Sequence, residues 1–115
     1  MALRLEFSAA AERDFALILD HLFNSYRGFG EDVHSAFDHA EARVMEIRAA
    51  ADRILTAPHR GEKSDDVLPG LRCLTIERAT YWFDVDEERR TVRVLAVFFG
   101  GHDQIRRMLT RLLNT

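Results

Sequence analysis

The stretch "TIERATYWFDVDEERRTVRVLAVFF", residues 75–99, decides the fold because it contains two apolar strand patterns joined by a polar turn. In "TYWFDVD" the side chains alternate between two faces, with Tyr81, Phe83 and Val85 on one of them. "TVRVLAVFF" is apolar on both faces toward its end, which predicts a central strand. The polar run "DEERR" predicts the hairpin turn between the two strands.

The same alternation predicts which aromatic side chains form the core. Four residues are expected to share the inner face of the sheet, toward the helices: Tyr81, Phe83, Val94 and Phe98. Trp82 and Phe99 are expected on the other face, either buried under a C-terminal helix or available to a partner. The aromatic run is therefore predicted mainly as packed core and not as a platform for stacking bases.

The chain before this hairpin predicts one strand and two helices. "ALRLEF" alternates as a half-buried strand, and Ser8 then offers an N-cap for a helix over residues 9 to about 26. "RGFG" predicts a tight turn. Apolar residues at three- and four-residue steps predict a second helix from Glu31 to near Thr56, which Pro58 ends.

The remaining segments complete a single domain over residues 1–115. "HRGEKSDDVLPG" (59–70) predicts a long loop, "LRCLTIE" a strand, and "HDQIRRMLTRLLN" a short C-terminal helix. The predicted order is β-α-α-β-β-β-α. It indicates an α+β fold with a small antiparallel sheet packed against the N-terminal helical hairpin.

Amino-acid composition argues against several classes of function. The chain carries a net charge of −3 and a single cysteine, Cys73. Without a basic surplus we expect no direct binding to free nucleic acid, and without further cysteines we expect no disulfide framework. His34 and His39 are five residues apart and do not align as zinc ligands on one helix face, so no metal or cofactor is expected. Neither a signal peptide nor a membrane span is evident, so a cytoplasmic protein is expected.

The stretch "LPGLRCLTIERATYWFDVDEERRTVRVLAVFFGGHD", residues 68–103, resembles the toxins of the ParE/RelE superfamily. Ten residues match the short motifs of that superfamily: Gly70, Arg72, Val85, Asp86, Val92, Val94, Leu95, Val97, Gly100 and Asp103. The resemblance implies a bacterial toxin of a type II toxin–antitoxin (plasmid stabilisation) module, held inactive by a cognate antitoxin, typically a ribbon-helix-helix DNA-binding protein. ParE-like members inhibit DNA gyrase, whereas RelE-like members cut messenger RNA on the ribosome.

The sequence favours the ParE-like alternative over the ribonuclease. Metal-free RNA cleavage needs a base, an acid and cations that stabilise the phosphorane. The candidates here are Arg72, Arg78 and His102, with Lys63, Arg106 and Arg107 as further cations. The family often has Tyr where this chain has Phe83, Arg where it has Thr80 and Asp84, and His where it has Phe99. A ribosome-dependent ribonuclease, and a non-toxic partner-binding remnant of the fold, stay open as alternatives.

A partner surface is expected on the sheet edge and in the grooves that flank the helical hairpin. An antitoxin tail can place apolar anchors there or pair as an extra strand. The candidate contacts are Trp82, Phe99, Leu109 and Leu113.

Overall fold

A computed structural model describes residues 2–100 and 104–114 of the chain. The helices and strands are β1 (Arg4–Phe7), α1 (Ala9–Gly28), α2 (Val33–Ala50), β2 (Glu62–Lys63), β3 (Arg72–Ile76), β4 (Ala79–Asp86), β5 (Thr91–Phe99) and α3 (Gln104–Leu113). Two 3₁₀ helices, Ala51–Thr56 and Pro58–Arg60, lie between α2 and β2. The predicted α+β class is confirmed. No helix in the described ranges is long and apolar enough to cross a membrane.

The sheet has five strands in the order β1-β5-β4-β3-β2. Strands β3 to β5 are antiparallel neighbours, as predicted, and β2 adds to β3 in the same sense. Strand β1 pairs with β5 in parallel, so the sheet is mixed and not purely antiparallel. Parallel neighbours need a long crossover connection, which the helical hairpin and the other strands supply here. The prediction of four strands was one short because β2 is two exposed residues within the loop, too few to show an alternation.

Helix α1 begins and ends close to the predicted positions. The Ser8 hydroxyl oxygen accepts a hydrogen bond from the Ala11 backbone N–H at 3.0 Å, which satisfies one of the free donors of the first turn. The helix continues to Gly28, two residues beyond the prediction.

Helix α2 begins two residues later than predicted because Asp32 is its N-cap. The Asp32 carboxylate accepts a hydrogen bond from the Ser35 backbone N–H at 2.8 Å, and this bond lowers the pKa of Asp32 below its usual value. The predicted α-helix to Thr56 also differs at its end, since the six residues from Ala51 form a 3₁₀ helix.

A β-bulge in β5 changes which aromatic residues face the helices. The register passes from Trp82 opposite Ala96 to Phe83 opposite Val94, so Leu95 has no partner in β4. An extra residue reverses the alternation beyond it. The predicted faces were therefore wrong for the last two aromatics. Phe98 lies on the face away from the helical hairpin, and Phe99 packs toward it.

Two hydrophobic cores result, one on each face of the sheet. The larger lies between the helical hairpin and the sheet and contains Tyr81, Phe83 and Val94, as predicted. The Tyr81 hydroxyl donates a 2.5 Å hydrogen bond to the Ile47 carbonyl of α2, and burial raises the pKa of Tyr81 to about 12. The smaller core lies under α3 and contains Leu71, Trp82, Ala96 and Met108.

Candidate functional site

A groove runs between α1 and α3, with Phe98 of β5 at its base. It consists of two adjoining clefts of about 330 and 560 Å³ that share Phe98, Arg107 and Arg111. Helix α1 contributes residues three or four apart, which lie on one face of a helix. We call this the α1–α3 groove, and its lining residues are Ala10, Arg13, Asp14, Leu17, Ile18, His21, Val97, Phe98, Phe99, Arg106, Arg107, Thr110, Arg111 and Asn114.

A buried ion pair fixes the two helices that form this groove. Asp14 of α1 is only 3% exposed, and its carboxylate accepts hydrogen bonds from the Val97 backbone N–H at 2.9 Å and from the Arg111 guanidinium. Arg111 also donates to the carbonyl of Leu95, the bulge residue, at 3.3 Å. Residues far apart in the sequence thereby join α1, β5 and α3. Sequence reasoning missed Asp14. Its signal was an acidic residue inside the apolar stripe of α1.

The groove is strongly cationic although the whole chain is acidic. Helix α3 contains three arginines and no acidic residue, and α1 adds Arg13. Between residues 2–100 and 104–114, no ion pair joins Arg13, Arg106 or Arg107 to a carboxylate. Both Arg13 and Arg106 are exposed. Several unneutralised guanidinium groups therefore line one concave surface.

The aromatic base of the groove is covered by two of these arginines. The guanidinium carbons of Arg107 and Arg111 lie 5.8 and 5.5 Å from the centroid of the Phe98 ring, within the range of cation–π attraction. Arg107 also donates to the Gly100 carbonyl at 3.1 Å, which fixes its position at the end of β5.

Arg72, the first candidate of the ribonuclease set, holds β3 to the preceding loop. Its guanidinium donates to the carbonyls of His59 and Gly61 at 3.0 and 3.1 Å. The loop packs closely there, since a Cβ on Gly61 would lie 2.9 Å from the Phe83 ring. In this structure Arg72 therefore anchors the loop at residues 59–61 to β3.

Of the other ribonuclease candidates, Lys63 lies next to Arg72 and Arg78 does not. Arg78 is exposed at the turn between β3 and β4, with its guanidinium 5.3 Å from the Phe99 ring centroid. Arg72 stands at the opposite end of β3, which is about 13 Å long at the usual rise per residue. Lys63 pairs directly with Arg72 across β2 and β3, and Asp84 is paired with Arg93 at 3.4 Å. His102 lies outside the described residues.

The four predicted partner contacts differ in accessibility. Trp82 is fully buried under α3, which is the first of the two alternatives left open for it, and is not accessible to a partner in this conformation. Phe99 is half-buried at one end of the groove, 6.2 Å from the His21 ring. Leu109 and Leu113 are 42% and 84% exposed and lie one turn apart on the same side of α3. Of the four, only these two leucines present a largely open apolar surface.

Other reactive side chains have local explanations. In the described part of the chain, no three His, Cys, Asp or Glu residues are grouped to hold a metal ion. The His39 ring stacks on Tyr26 at 3.7 Å, and its Nδ1 lies 3.1 Å from the Glu31 carboxylate. Burial, assisted by the charge of Glu62, raises the pKa of the Cys73 thiol and so disfavours the reactive thiolate.

Comparison with known proteins identifies the fold. No family model matches the sequence, and no curated protein matches it significantly. Solved structures do match. A chain of the chromosomal ParDE toxin–antitoxin system of P. aeruginosa aligns with a TM-score of 0.65 and 20% identity over 87% of this chain and 98% of that one. A chain of the RelBE2 toxin–antitoxin complex of Mycobacterium tuberculosis gives 0.62 and 15% over 89% and 95%.

A third structure, an arginine-to-alanine double mutant of the E. coli toxin RelE in the free state, aligns with a TM-score of 0.58 and 11% identity over 98% of this chain and 99% of that one. Identities this low establish similarity of fold alone. This chain has the fold of the ParE/RelE toxins, as the resemblance of its motifs implied.

Proposed function

We propose that this protein is the toxin of a type II toxin–antitoxin (plasmid stabilisation) module, that it acts in the ParE-like manner by binding a protein target such as DNA gyrase, and that a cognate antitoxin neutralises it in the bacterial cytoplasm. The fold supports the toxin assignment, because its structural relatives are toxins and toxin–antitoxin complexes. We expect the antitoxin to be of the ribbon-helix-helix type.

One observation favours a binding mechanism over a catalytic one. Nη1 of Arg72 donates to two backbone carbonyls, which holds this side chain against the loop, and Arg78 lies about a strand length away. A general acid, a base and cations acting on one phosphate must lie within hydrogen-bond reach of it. Arg72 and Arg78 do not meet that requirement together, which favours a protein that acts by occupying its target.

The proposed contact surface with the target is on α3. Leu109 and Leu113 expose apolar side chains next to a cationic groove, and exposed apolar residues beside charged ones are typical of protein interfaces. Phe99 is a further candidate at the end of the groove. Trp82 becomes a candidate contact only in a complex in which α3 has moved from the sheet.

The second candidate function, a RelE-like ribosome-dependent ribonuclease, is favoured by a different observation. Arg106 and Arg107 carry no ion pair within residues 2–100 and 104–114, and they follow His102 closely in the sequence. A cationic pair beside a histidine is a reasonable set for stabilising and protonating a phosphate ester. This alternative would move catalysis from Arg72 to the start of α3.

The purified protein distinguishes the two mechanisms. We expect it to inhibit DNA supercoiling by gyrase when present at about one molecule per gyrase or more, because a binder must occupy each target. We expect messenger RNA on translating ribosomes to remain intact. Cleavage of that RNA by far less than one toxin per ribosome, with gyrase unaffected, would establish the ribonuclease instead. Inactivity in both assays would favour the non-toxic remnant.

A pair of matched variants tests the proposed surface. Leu109→Ser with Leu113→Ser should raise the concentration needed to inhibit gyrase about tenfold, since two exposed apolar contacts are lost. Met45→Ser removes a similarly exposed apolar residue, 64% accessible, from α2 and should leave inhibition unchanged. Equal effects of the two changes would show that α3 has no special role.

A further inference from the structure

The turn between α1 and α2 exposes apolar side chains that the two cores do not use. Phe29 is 86% exposed, the highest fraction of any large apolar side chain in residues 2–100 and 104–114. Val33 and Phe37 are 54% and 43% exposed and lie one turn apart on the same side of α2. We call the surface formed by Phe29, Val33 and Phe37 the hairpin tip. Exposed apolar side chains gathered on one surface are typical of an interaction site.

Hydrogen bonds fix the backbone that carries Phe29. Its N–H donates to the carbonyls of Ser25 and Tyr26 at 3.1 and 3.2 Å, and the N–H of Gly30 donates to the Arg27 carbonyl at 3.0 Å. Gly30 has a φ of +98°, a conformation that glycine adopts readily and that allows the chain to reverse here. The exposure of Phe29 is therefore a feature of an ordered turn.

Side chains of both helices brace the same turn. The His39 ring of α2 stacks on Tyr26 of α1 at 3.7 Å, and its Nδ1 lies 3.1 Å from the Glu31 carboxylate. Arg27 donates to the Glu31 carbonyl at 2.8 Å. A surface that is organised before binding loses little conformational entropy when a partner docks. The hairpin tip is therefore preformed for binding.

The surroundings of the hairpin tip are acidic. Residues 28–42 include no lysine or arginine but four acidic residues, Glu31, Asp32, Asp38 and Glu41. Asp38 and Glu41 are exposed and form no ion pair within residues 2–100 and 104–114. Glu41 follows Phe37 by four residues, so it borders the apolar surface on the same side of α2. Carboxylates beside exposed apolar side chains are complementary to a surface that is both cationic and apolar.

We infer that the hairpin tip binds a cationic amphipathic segment of a protein partner, in which lysine or arginine side chains flank an apolar one. The apolar side chain packs against Phe29 and Phe37, and the cationic side chains approach Asp38 and Glu41. Apolar area is buried and charge is neutralised in one binding event. The inference goes beyond the proposed function, because it concerns a second surface, separate from α3.

The same charges disfavour other occupants of the hairpin tip. A second copy of this chain would place its own carboxylates against Asp38 and Glu41, and like charges brought together at an interface repel each other. Nucleic acid and membranes rich in anionic lipid attract basic surfaces, whereas this surface is acidic. A cationic protein segment is the occupant that both the charge and the apolar side chains favour.

Fluorescence anisotropy with two labelled peptides tests the inference. One amphipathic peptide of about 15 residues is composed of leucine and lysine, and the other replaces each lysine by glutamine. The purified protein should bind the lysine peptide more tightly than the glutamine peptide. Affinity for the lysine peptide should fall between about 50 and about 200 mM salt, because exposed charges are screened.

Two variants locate the binding by its two components. Phe29→Ser with Phe37→Ser should weaken binding of the lysine peptide about tenfold, because the exposed apolar contacts are lost. Asp38→Asn with Glu41→Gln should weaken it about tenfold as well and should flatten its salt dependence, because the carboxylates are lost while the side-chain shapes are kept. Thermal unfolding of each variant verifies that it is folded.

Matched controls carry the same kinds of change elsewhere. Asp66→Asn with Glu88→Gln removes two exposed carboxylates from the loop and turn at the other strands, and Leu109→Ser with Leu113→Ser removes exposed apolar side chains from α3. Both control variants should bind the lysine peptide as the wild-type protein does. The α3 variant also tests the proposed function, so failure of that function is distinguishable from failure of this inference.

Four results would overturn the inference. They are equal affinity for the two peptides, an equal loss in the hairpin-tip and control variants, and no measurable binding of the lysine peptide to the folded wild-type protein. The fourth is a wild-type dimer in sedimentation equilibrium that Phe29→Ser with Phe37→Ser dissociates, since a second copy of the chain would then cover this surface.

Discussion

Replacing Asp14 by alanine should destabilise the protein by about 3–5 kcal/mol, the cost of breaking a buried ion pair from one side. The carboxylate is almost fully buried and accepts hydrogen bonds from Arg111 and from the Val97 N–H. Its removal leaves the backbone N–H without its acceptor and releases Arg111 from α1. The Arg111 side chain is 22% exposed and regains some hydration, so we expect the lower half of the range.

The expected loss is a large fraction of the free energy of unfolding of a small domain, which is about 5–15 kcal/mol in total. At about 4 °C per kcal/mol for a chain of this size, the lower half of that range lowers the melting temperature by about 12–16 °C. Asp14→Asn keeps an acceptor for Val97 but loses the charge, so it should cost about half as much.

Trp82 provides the assay, because it is the only tryptophan and is buried under α3. Urea unfolding followed by its fluorescence reports directly on the region that Asp14 holds together. Asp20→Ala is the matched control, since Asp20 is an exposed acidic residue of the same helix and should change stability by less than about 0.5 kcal/mol. If Asp14→Ala were no more destabilising than this control, the proposed role of the ion pair would be wrong.

Three further predictions concern the sheet. The unfolded phenol of Tyr81 ionises at its usual pKa of 10.0, while the buried one keeps its proton to about 12, so the wild-type protein should lose about 1.4 kcal/mol of unfolding free energy per pH unit between pH 10 and about pH 12. Tyr81→Phe should abolish this pH dependence. Urea midpoints across this pH range measure it, and equal slopes in both proteins would refute the prediction. Gly61→Ala should lower the free energy of unfolding by about 1–3 kcal/mol, since the added Cβ would lie 2.9 Å from the Phe83 ring and 3.0 Å from the Cys73 carbonyl. Gly28→Ala, whose Cβ would have nothing within 4 Å, is the control in the same thermal unfolding experiment. Cys73 should react with iodoacetamide much more slowly in the folded protein than in urea at about pH 8, because burial raises the pKa of its thiol; similar rates, measured by mass spectrometry, would contradict this.

The predictable part of the fold is the part in which local pattern and tertiary structure agree. The alternation in residues 79–86 predicted both faces of β4, and the Ser8 cap predicted where α1 begins. The exchange of Phe98 and Phe99 was not predicted because a single bulge residue, Leu95, reverses the alternation without changing the composition of the strand. The parallel pairing of β1 with β5 is a long-range choice that the four residues of β1 do not encode by themselves.

The candidate site was harder to predict than the fold. The sequence singled out Arg72, and the structure shows its Nη1 bonded to the carbonyls of His59 and Gly61, two contacts that no periodicity in the sequence specifies. The α1–α3 groove depends on contacts between α1 and α3, and Asp14 and Arg111 are too far apart in sequence for any periodicity to connect them. Net charge also concealed the site, because acidic residues elsewhere outnumber the arginines that gather there.

Colony counts after induction of this protein alone in bacteria test the central claim most directly. We predict that viability collapses, that the cells form filaments with intact transcripts, and that the variant carrying Leu109→Ser and Leu113→Ser accumulates as soluble protein and restores growth. Normal growth while the soluble wild-type protein accumulates would contradict the toxin assignment, and collapse with cut transcripts would contradict the binding mechanism.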